Sequence, residues 1–324
     1  MNALSNTALH QAARQWLADG VPALVVQVRE VRGSTPREAD ARMLVCLDEA
    51  QGTIGGGHLE WQAIAMARQA LREHVQGLTT AEQDRKLAAW THTFALGPTL
   101  GQCCGGVVVL AFEPLDATVL ADWPMMAPRF RLDLHGAGHV GQAIVKLLGD
   151  IDCEVRWIDQ RLDDSPQALP GDEATLGLPM GHELAALPPH IHCIPTEDAA
   201  AEVAYAPPAS LHLVLTHRHD LDLAIVDALL RREDVRQGRA WVGLIGSRTK
   251  RAAFEHRLQA RGHAPELIAR IACPIGLPGI VGKEPVVIAV SVVGQLLQLM
   301  PPPAEQSSIS RTANTAAATS TSPA

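Results

Sequence analysis

The chain has 324 residues, of which 47% are hydrophobic and 19% charged, and its 27 basic and 35 acidic side chains give a net charge of −8. This length predicts two domains. The acidic balance disfavours nucleic acid and anionic membrane surfaces as partners, because both attract basic proteins. The polar start from Met1 to Trp16 lacks the basic and apolar regions of a secretion signal, and the 6 cysteines include no CxxC pair. We therefore expect a cytoplasmic protein with reduced thiols.

The first part of the chain has a mixed α+β pattern, which we assign to a domain over residues 1–115. Helical spacing and runs of Val and Leu predict, in chain order, a helix over 6–18, strands over 22–32 and 41–47, a helix over 58–75, and strands over 90–96 and 106–112. The pattern does not order these strands. Residues 116–129 contain prolines and methionines and are predicted to connect two domains.

Strands and helices alternate in the second part, which we assign to a Rossmann-like domain over residues 130–300. The predicted strands are 131–135, 154–158, 190–194, 211–215 and 241–245, and the predicted helices are 138–148, 220–231, 247–261 and 284–300. This alternation is typical of a parallel sheet with helices on both faces. Residues 301–324 have almost no apolar bulk and are predicted to be a disordered tail.

A glycine-rich turn, Gly136-Ala-Gly138-His-Val-Gly141, lies between a predicted strand and a predicted helix. In the dinucleotide-binding fingerprint these glycines permit a tight turn, close approach of a pyrophosphate, and close packing of helix on strand. The helix N-terminus then offers free N–H groups to the anion. Asp159 lies where the fingerprint has its acid. Glycines that serve only the turn are the alternative.

Two further segments follow predicted strands and begin predicted helices. Thr216, His217 and Asp220 lie at the carboxyl end of a strand, where open α/β sheets bind ligands, although Thr216 or Asp220 as a simple helix cap is an equal alternative. Ser247 and Arg248 open a basic run at a helix start. Because basic residues there oppose the helix dipole, the run indicates an anionic partner, and a solvated charged face is the alternative.

The first domain has glycine-rich turns of its own. Arg37 follows one of them, and Gly56 and Gly57 belong to a triple glycine before a helix, where free amides favour a ligand. Glycine also serves ordinary turns, so this signal is weak by itself.

Cys103 and Cys104 are adjacent in a glycine-rich turn. Thiols in such a turn are candidate ligands for a soft metal, and glycines beside them favour close approach of another group. The other cysteines lie in or beside apolar runs and are interpreted as small core residues.

The ordered set of motifs resembles the xanthine dehydrogenase accessory proteins of the XdhC/CoxI family. The matching segments are Arg32–Arg37, Ala41–Val45, Gly52–Glu60, Leu96–Gly106, Gly136–Gly141, Asp159, Thr216–Asp220, Gly243–Arg251 and Pro274–Glu284. One departure is Asp40, where the family pattern leads us to expect glycine.

The resemblance implies a chaperone rather than an enzyme. Such proteins bind the molybdenum cofactor (Mo-molybdopterin) as cargo, protect it while a NifS-like cysteine desulfurase supplies a sulfido ligand, and deliver it to apo xanthine dehydrogenase. It also implies a homodimer. With a soft metal centre as cargo, Cys104 is the candidate metal ligand.

Three alternatives remain at this stage. An NAD(P)-dependent oxidoreductase would use the Gly136 turn and Asp159, and Asp159 would favour NAD over NADP. A chaperone for the molybdopterin cytosine dinucleotide form would serve an aldehyde oxidase or CO dehydrogenase. A thiol redox sensor would use Cys103 and Cys104, although adjacent cysteines pair only with strain.

Overall fold

The structure is a computed structural model that describes residues 5–35, 37–77, 87–97, 106–124, 127–162 and 177–300. The predicted tail, 301–324, and the adjacent Cys103 and Cys104 lie outside the described residues. None of the described helices combines the length and apolar character needed to cross a bilayer.

The first domain is an antiparallel sheet with a helix on each face. Its strands are β1 (Ala23–Arg32), β2 (Arg42–Cys46), β3 (Ala50–Gly52), β4 (Trp90–Ala95) and β5 (Val107–Pro114), and its helices are α1 (Asn6–Ala18) and α2 (Gly57–Gly77). The strand order is β3-β2-β1-β5-β4. Alternate residues of β1 face opposite sides, so Leu24 and Val26 pack against α2 while Ala23 and Val25 pack against α1.

The predicted connection, 116–129, contains a short helix that the sequence pattern did not indicate, α3 (Ala117–Ala121). Asp116 caps it by accepting the amides of Thr118 and Val119, both at 2.9 Å. The two domains are also joined directly, because the Asp152 carboxylate accepts the amides of Asn6 and Thr7 at 3.1 and 3.3 Å. This carboxylate compensates the positive end of α1.

The second domain is a parallel five-stranded sheet with helices on both faces. Its strands are β6 (Arg131–His135), β7 (Glu154–Asp159), β8 (Ile191–Pro195), β9 (Leu211–Val214) and β10 (Trp241–Leu244). Its α-helices are α4 (His139–Leu148), α5 (Gly181–Ala185), α6 (His219–Arg231), α7 (Glu233–Arg236), α8 (Arg248–Ala260), α9 (Pro265–Ile268) and α10 (Pro285–Gln298). The strand order is β10-β9-β6-β7-β8. From β6 the chain adds β7 and β8 on one side, and then adds β9 and β10 on the other side.

The two faces of this sheet have different cores. Leu132 and Leu134 of β6 pack with α4 and α10 in one apolar cluster. The opposite face carries a second cluster, in which α6 and α8 pack over Ile158, Val214 and Leu244. The predicted fold class, an α+β domain followed by a Rossmann-like domain, is confirmed.

Candidate functional site

The switch point of the parallel sheet lies between β6 and β9, where the winding direction reverses. In open α/β sheets ligands bind at such a point, outside the carboxyl ends of the strands. The Gly136–Gly141 turn follows β6, and the segment beginning at Thr216 follows β9 shortly before α6. The sequence-predicted residues of these two segments are therefore neighbours.

The three glycines of the Gly136 turn have different surroundings. Gly136 has φ +127°, and a Cβ there would lie 2.4 Å from the Leu215 carbonyl oxygen. A Cβ on Gly141 would lie 2.1 Å from the Gly136 oxygen, so helix and turn touch only without a side chain. A Cβ on Gly138 would meet nothing within 4 Å. Gly136 and Gly141 are required by the fold, whereas Gly138 faces open space.

Asp159, at the end of β7, holds this turn. Its Oδ2 accepts the Ala137 amide at 2.7 Å, and the Arg161 side chain binds both carboxylate oxygens at 2.9–3.0 Å. Burial raises the pKa of Asp159, but the hydrogen bonds from Arg161 and Ala137 outweigh it and hold the pKa below its ordinary value. Both oxygens of this charged carboxylate are thus occupied by the protein itself.

Helices α4, α6 and α8 begin at this edge of the sheet, and their N-termini differ. Helix α6 has Asp220 and Asp222 in its first turn. Helix α8 is capped by Ser247, whose hydroxyl accepts the Lys250 amide at 3.3 Å. Helix α4 has neither a side-chain cap nor an acid in its first turn. The first amides of a helix have no intrahelical acceptor, so the N-terminus of α4 is suited to an external anion.

A buried ion pair connects the other two helix starts. Asp222, fully buried, accepts the Lys250 ammonium at 2.6 Å. The same carboxylate accepts both the amide and the hydroxyl of Thr216, at 3.0 and 2.7 Å. Thr216 therefore orders the end of β9, and Asp220 instead pairs with Arg218 at the surface at 2.7 Å.

The basic run at the start of α8 is divided between internal and external roles. Lys250 neutralises Asp222, and Arg251 binds Glu255 at 2.7 Å and the Ile271 carbonyl at 2.6 Å. Arg248 is exposed. Its charge therefore lies at the surface.

His217 lies within electrostatic range of the Gly136 turn. Burial lowers the pKa of its imidazole below the ordinary value, the positive charge of Arg161 lowers it further, and Asp159 opposes the shift. These effects favour the neutral ring, and an anion that binds beside it would favour its protonation.

The triple glycine of the first domain surrounds an acid from its own chain. Oε2 of the buried Glu60 accepts the hydroxyl of Thr53 at 2.6 Å and the amides of Ile54 and Gly56 at 3.0 Å. The amide of Gly55 donates to Thr53. The amides of Gly55 and Gly56 therefore bind within the protein, and Gly57 begins α2.

Arg37 is exposed near the one departure from the family pattern. Asp40 has φ +72°, in the left-handed region that favours glycine, and its carboxylate accepts the Gln27 amide group at 2.8 Å. A Cβ on Gly106 would lie 2.4 Å from the Ser34 oxygen, so the loop that joins β4 to β5 ends against the loop before Arg37. Cys103 and Cys104 precede Gly106 in the sequence and lie outside the described residues.

Sequence reasoning missed Asp222, Lys250, Arg161 and Glu60 as positioning residues. The signals were present. Asp222 and Glu60 are acids in the first turns of helices that follow turns, and Arg161 lies two residues after the predicted acid. The sequence does not show which groups these side chains bind, however, because those contacts form only in the folded chain.

These features define a two-domain protein with a Rossmann-type second domain. A family model described as "XdhC Rossmann domain" matches residues 132–296, and one described as "XdhC and CoxI family" matches residues 16–81. The chain belongs to the XdhC and CoxI family.

The chain is also similar to two known proteins. "Uncharacterized protein YqeB" of Escherichia coli (strain K12) is 31% identical over 280 residues, which are 86% of this chain and 43% of that protein, so the chain spans less than half of that relative. A crystal structure described as a xanthine dehydrogenase from Bacillus halodurans has a TM-score of 0.61 at 18% identity, over 91% of this chain and 96% of that one. This second likeness is one of fold.

Proposed function

We propose that this protein is a maturation factor for xanthine dehydrogenase, which binds the molybdenum cofactor, protects it during sulfuration and delivers it to the apoenzyme. Membership of the XdhC and CoxI family supports the maturation role. The observation that carries cargo binding is the N-terminus of α4, which has no cap and lies behind the open Gly138 at the switch point.

The phosphate of a molybdopterin is the group that this turn is suited to bind. The free amides at the start of α4 supply hydrogen bonds and the positive end of the helix dipole. The exposed Arg248 supplies a cation at the same edge of the sheet. Handover requires that the cargo can be released. Hydrogen bonds and ion pairs to the phosphate are reversible, so a recipient enzyme with equivalent groups can take up the cargo.

Because the Asp159 carboxylate is already occupied, the site favours molybdopterin without an attached nucleotide over the dinucleotide form. In the dinucleotide fingerprint this acid binds a ribose hydroxyl. Here it would first have to release Ala137 or Arg161, which bind it at 2.7–3.0 Å. For the same reason we rank NAD, and the cytosine dinucleotide form, below molybdopterin itself.

Cys104, with Cys103 beside it, is our candidate for contact with the molybdenum centre. Thiolates are soft ligands and suit a metal with sulfur ligands. Either role proposed for Cys104, a transient ligand or a shield against oxidation, requires the loop between β4 and β5 to approach the bound cargo.

The proposed partners follow from this role. A NifS-like cysteine desulfurase supplies the sulfur, apo xanthine dehydrogenase accepts the product, and the chaperone acts as a cytoplasmic homodimer without an enzymatic step of its own.

The first test is anaerobic purification of the full chain from a molybdenum-replete host, followed by metal analysis and by fluorescence of the oxidised pterin. We expect molybdenum and pterin in nearly equal amounts, approaching one per chain. If both are absent, and added cofactor also fails to bind, the proposal is wrong. Nucleotide released by acid hydrolysis would indicate the dinucleotide form instead.

The cysteine proposal has a matched control. Cys104→Ser and Cys103→Ser remove candidate ligands, while Cys46→Ser changes a buried thiol that accepts the Glu49 amide within the first domain. We expect loss of molybdenum with pterin retained in the Cys104 variant, and no change in the Cys46 variant. Equal molybdenum in all three would remove the metal role and leave the phosphate site untouched.

A further inference from the structure

A row of polar side chains crosses the interior of the second domain, on the face of the sheet covered by α6. His212 of β9 and Arg156 of β7 both lie opposite Asp133 of β6, and His135 follows Asp133 on the same face. His135 and His212 are 0% exposed and Asp133 is 1% exposed. Strands in a parallel sheet covered on both faces are usually apolar throughout, so this row is unusual.

The imidazoles of His135 and His212 are unpaired among the residues that the structure describes. Within the part of the chain that the structure describes, neither Nδ1 nor Nε2 of His135 makes a hydrogen bond, and the same holds for His212. Buried polar atoms are nearly always paired in native proteins, and an unpaired group indicates an ion, a water or a strained site. Two adjacent rings whose nitrogens are unpaired among the described residues are therefore a candidate site for a bound ion.

We propose that Asp133, His135 and His212 bind a divalent transition-metal ion, for which zinc is the first candidate. One donor atom from each residue lies within 4.8 Å of the other two. Zinc bonds of about 2.0–2.2 Å place the ligands of a tetrahedral site about 3.4 Å apart. Binding would therefore draw the three side chains closer together.

The chemistry of the three donors suits this class of ion. A neutral imidazole binds a metal through a ring nitrogen, and the ring nitrogens of both histidines are unpaired among the described residues. Two imidazoles and one carboxylate form a borderline ligand set that prefers zinc or iron over calcium or magnesium. The fourth position is left for water or another small ligand.

A second layer of charges orients the carboxylate. The Arg156 guanidinium donates to Asp133 Oδ2 at 2.8 Å and to Glu202 at 2.7 Å. Hydrogen bonds to a ligating carboxylate fix its orientation and raise metal affinity. The ion would join β6 to β9, the two strands whose carboxyl ends carry the Gly136 turn and Thr216. It would thus hold the two sides of the switch point together, independently of any cargo.

The test is the zinc content of the full chain, produced without a metal-affinity tag in zinc-supplemented medium and dialysed against a weak chelator. We expect nearly one zinc per chain, and a rise in the thermal midpoint of several degrees relative to protein refolded without metal. His212→Phe and Asp133→Asn should each reduce the retained zinc at least tenfold. Cobalt in place of zinc should give the visible spectrum of nitrogen and oxygen ligands without a thiolate band.

Two controls separate this site from others. His192→Gln changes an exposed histidine in the same row of the sheet, and Cys103→Ser with Cys104→Ser removes the adjacent thiols; both should retain zinc. Should His212→Phe fold poorly, the cobalt spectrum of the unsubstituted chain still decides. A thiolate spectrum, a metal-free protein after refolding with zinc, or zinc retained by a folded His212→Phe chain would each overturn the proposal.

Discussion

The Gly136 turn allows a sharp separation between folding and binding, because its glycines have different surroundings. Gly138→Ala places a methyl group in open space on a backbone with φ −70° and ψ −177°, which alanine adopts readily. We expect the free energy of unfolding to change by less than about 1 kcal/mol, because the gain that alanine brings through the unfolded chain is opposed by its weaker N-capping at this position. Gly141→Ala places its methyl 2.1 Å from the Gly136 oxygen, and overpacking of this kind costs about 1–3 kcal/mol or more.

Cargo binding should be weakened by Gly138→Ala, the substitution that the fold tolerates. A methyl on Gly138 occupies the space through which a phosphate would approach the amides of α4. We expect the Gly138→Ala chain to lose at least about tenfold in cargo affinity, or about 1.4 kcal/mol. Urea unfolding measures the first effect, and pterin and molybdenum retained after gel filtration measure the second. Cargo retained at the unsubstituted level by a stable Gly138→Ala chain would show that the anion binds elsewhere.

Three further predictions concern positioning residues. Lys250→Met leaves the buried Asp222 without its cationic partner and should lower the free energy of unfolding in urea by about 3–5 kcal/mol. Adding Asp222→Asn to this variant should recover part of the loss. A double variant no more stable than the single one would contradict the pairing. Asp40→Ala should lower the free energy of unfolding by about 1–2 kcal/mol, and Asp40→Gly should lower it by less. Both variants lose the hydrogen bond from Gln27, but only glycine adopts φ +72° without backbone strain. Equal unfolding midpoints of the two variants in urea would refute this. Burial lowers the pKa of His217 below its ordinary value, so its imidazole gains positive charge as the pH falls into the acidic range. Retention of cargo should therefore improve from pH 7.5 to 5.5 more in the unsubstituted chain than in His217→Gln. Parallel pH profiles of the two chains would exclude a role for this ring.

The sequence predicts much of this fold because its periodic segments are long and consistent. The helix over 6–18 is found at those bounds, and the strands of the parallel sheet are found within a residue or two of their predicted ends. The short elements were missed. The strand at 50–52 and the helices at 117–121, 181–185, 233–236 and 265–268 span too few residues to show a period.

The order of the antiparallel strands was also beyond the sequence, for a physical reason. β1 pairs with both β2 and β5, and β5 is separated from it by more than half of the first domain. Apolar alternation establishes which residues face a core, but it does not identify the partner strand. The buried row of Asp133, His135 and His212 shows the same limit. Its alternation with Leu132 and Leu134 is visible in the sequence, but its convergence on one point requires the registers of β6 and β9.

The two glycine-rich turns before helices show why such motifs need a second signal. Both Gly56 and Gly138 offer open space to a Cβ, and both lie at a helix start. In the first domain Glu60 comes four residues after Gly56, and its carboxylate accepts the amides that an external anion would otherwise bind. In the second domain the residue four places after Gly138 is Gln142, whose side chain donates to the carbonyls of Ala137 and Gly177 and carries no charge. An anion site therefore requires glycines together with the absence of an acid in the first helical turn. By this criterion the Gly138 turn is the better candidate, and Glu60→Gln should leave cargo binding unchanged while lowering the stability of the first domain.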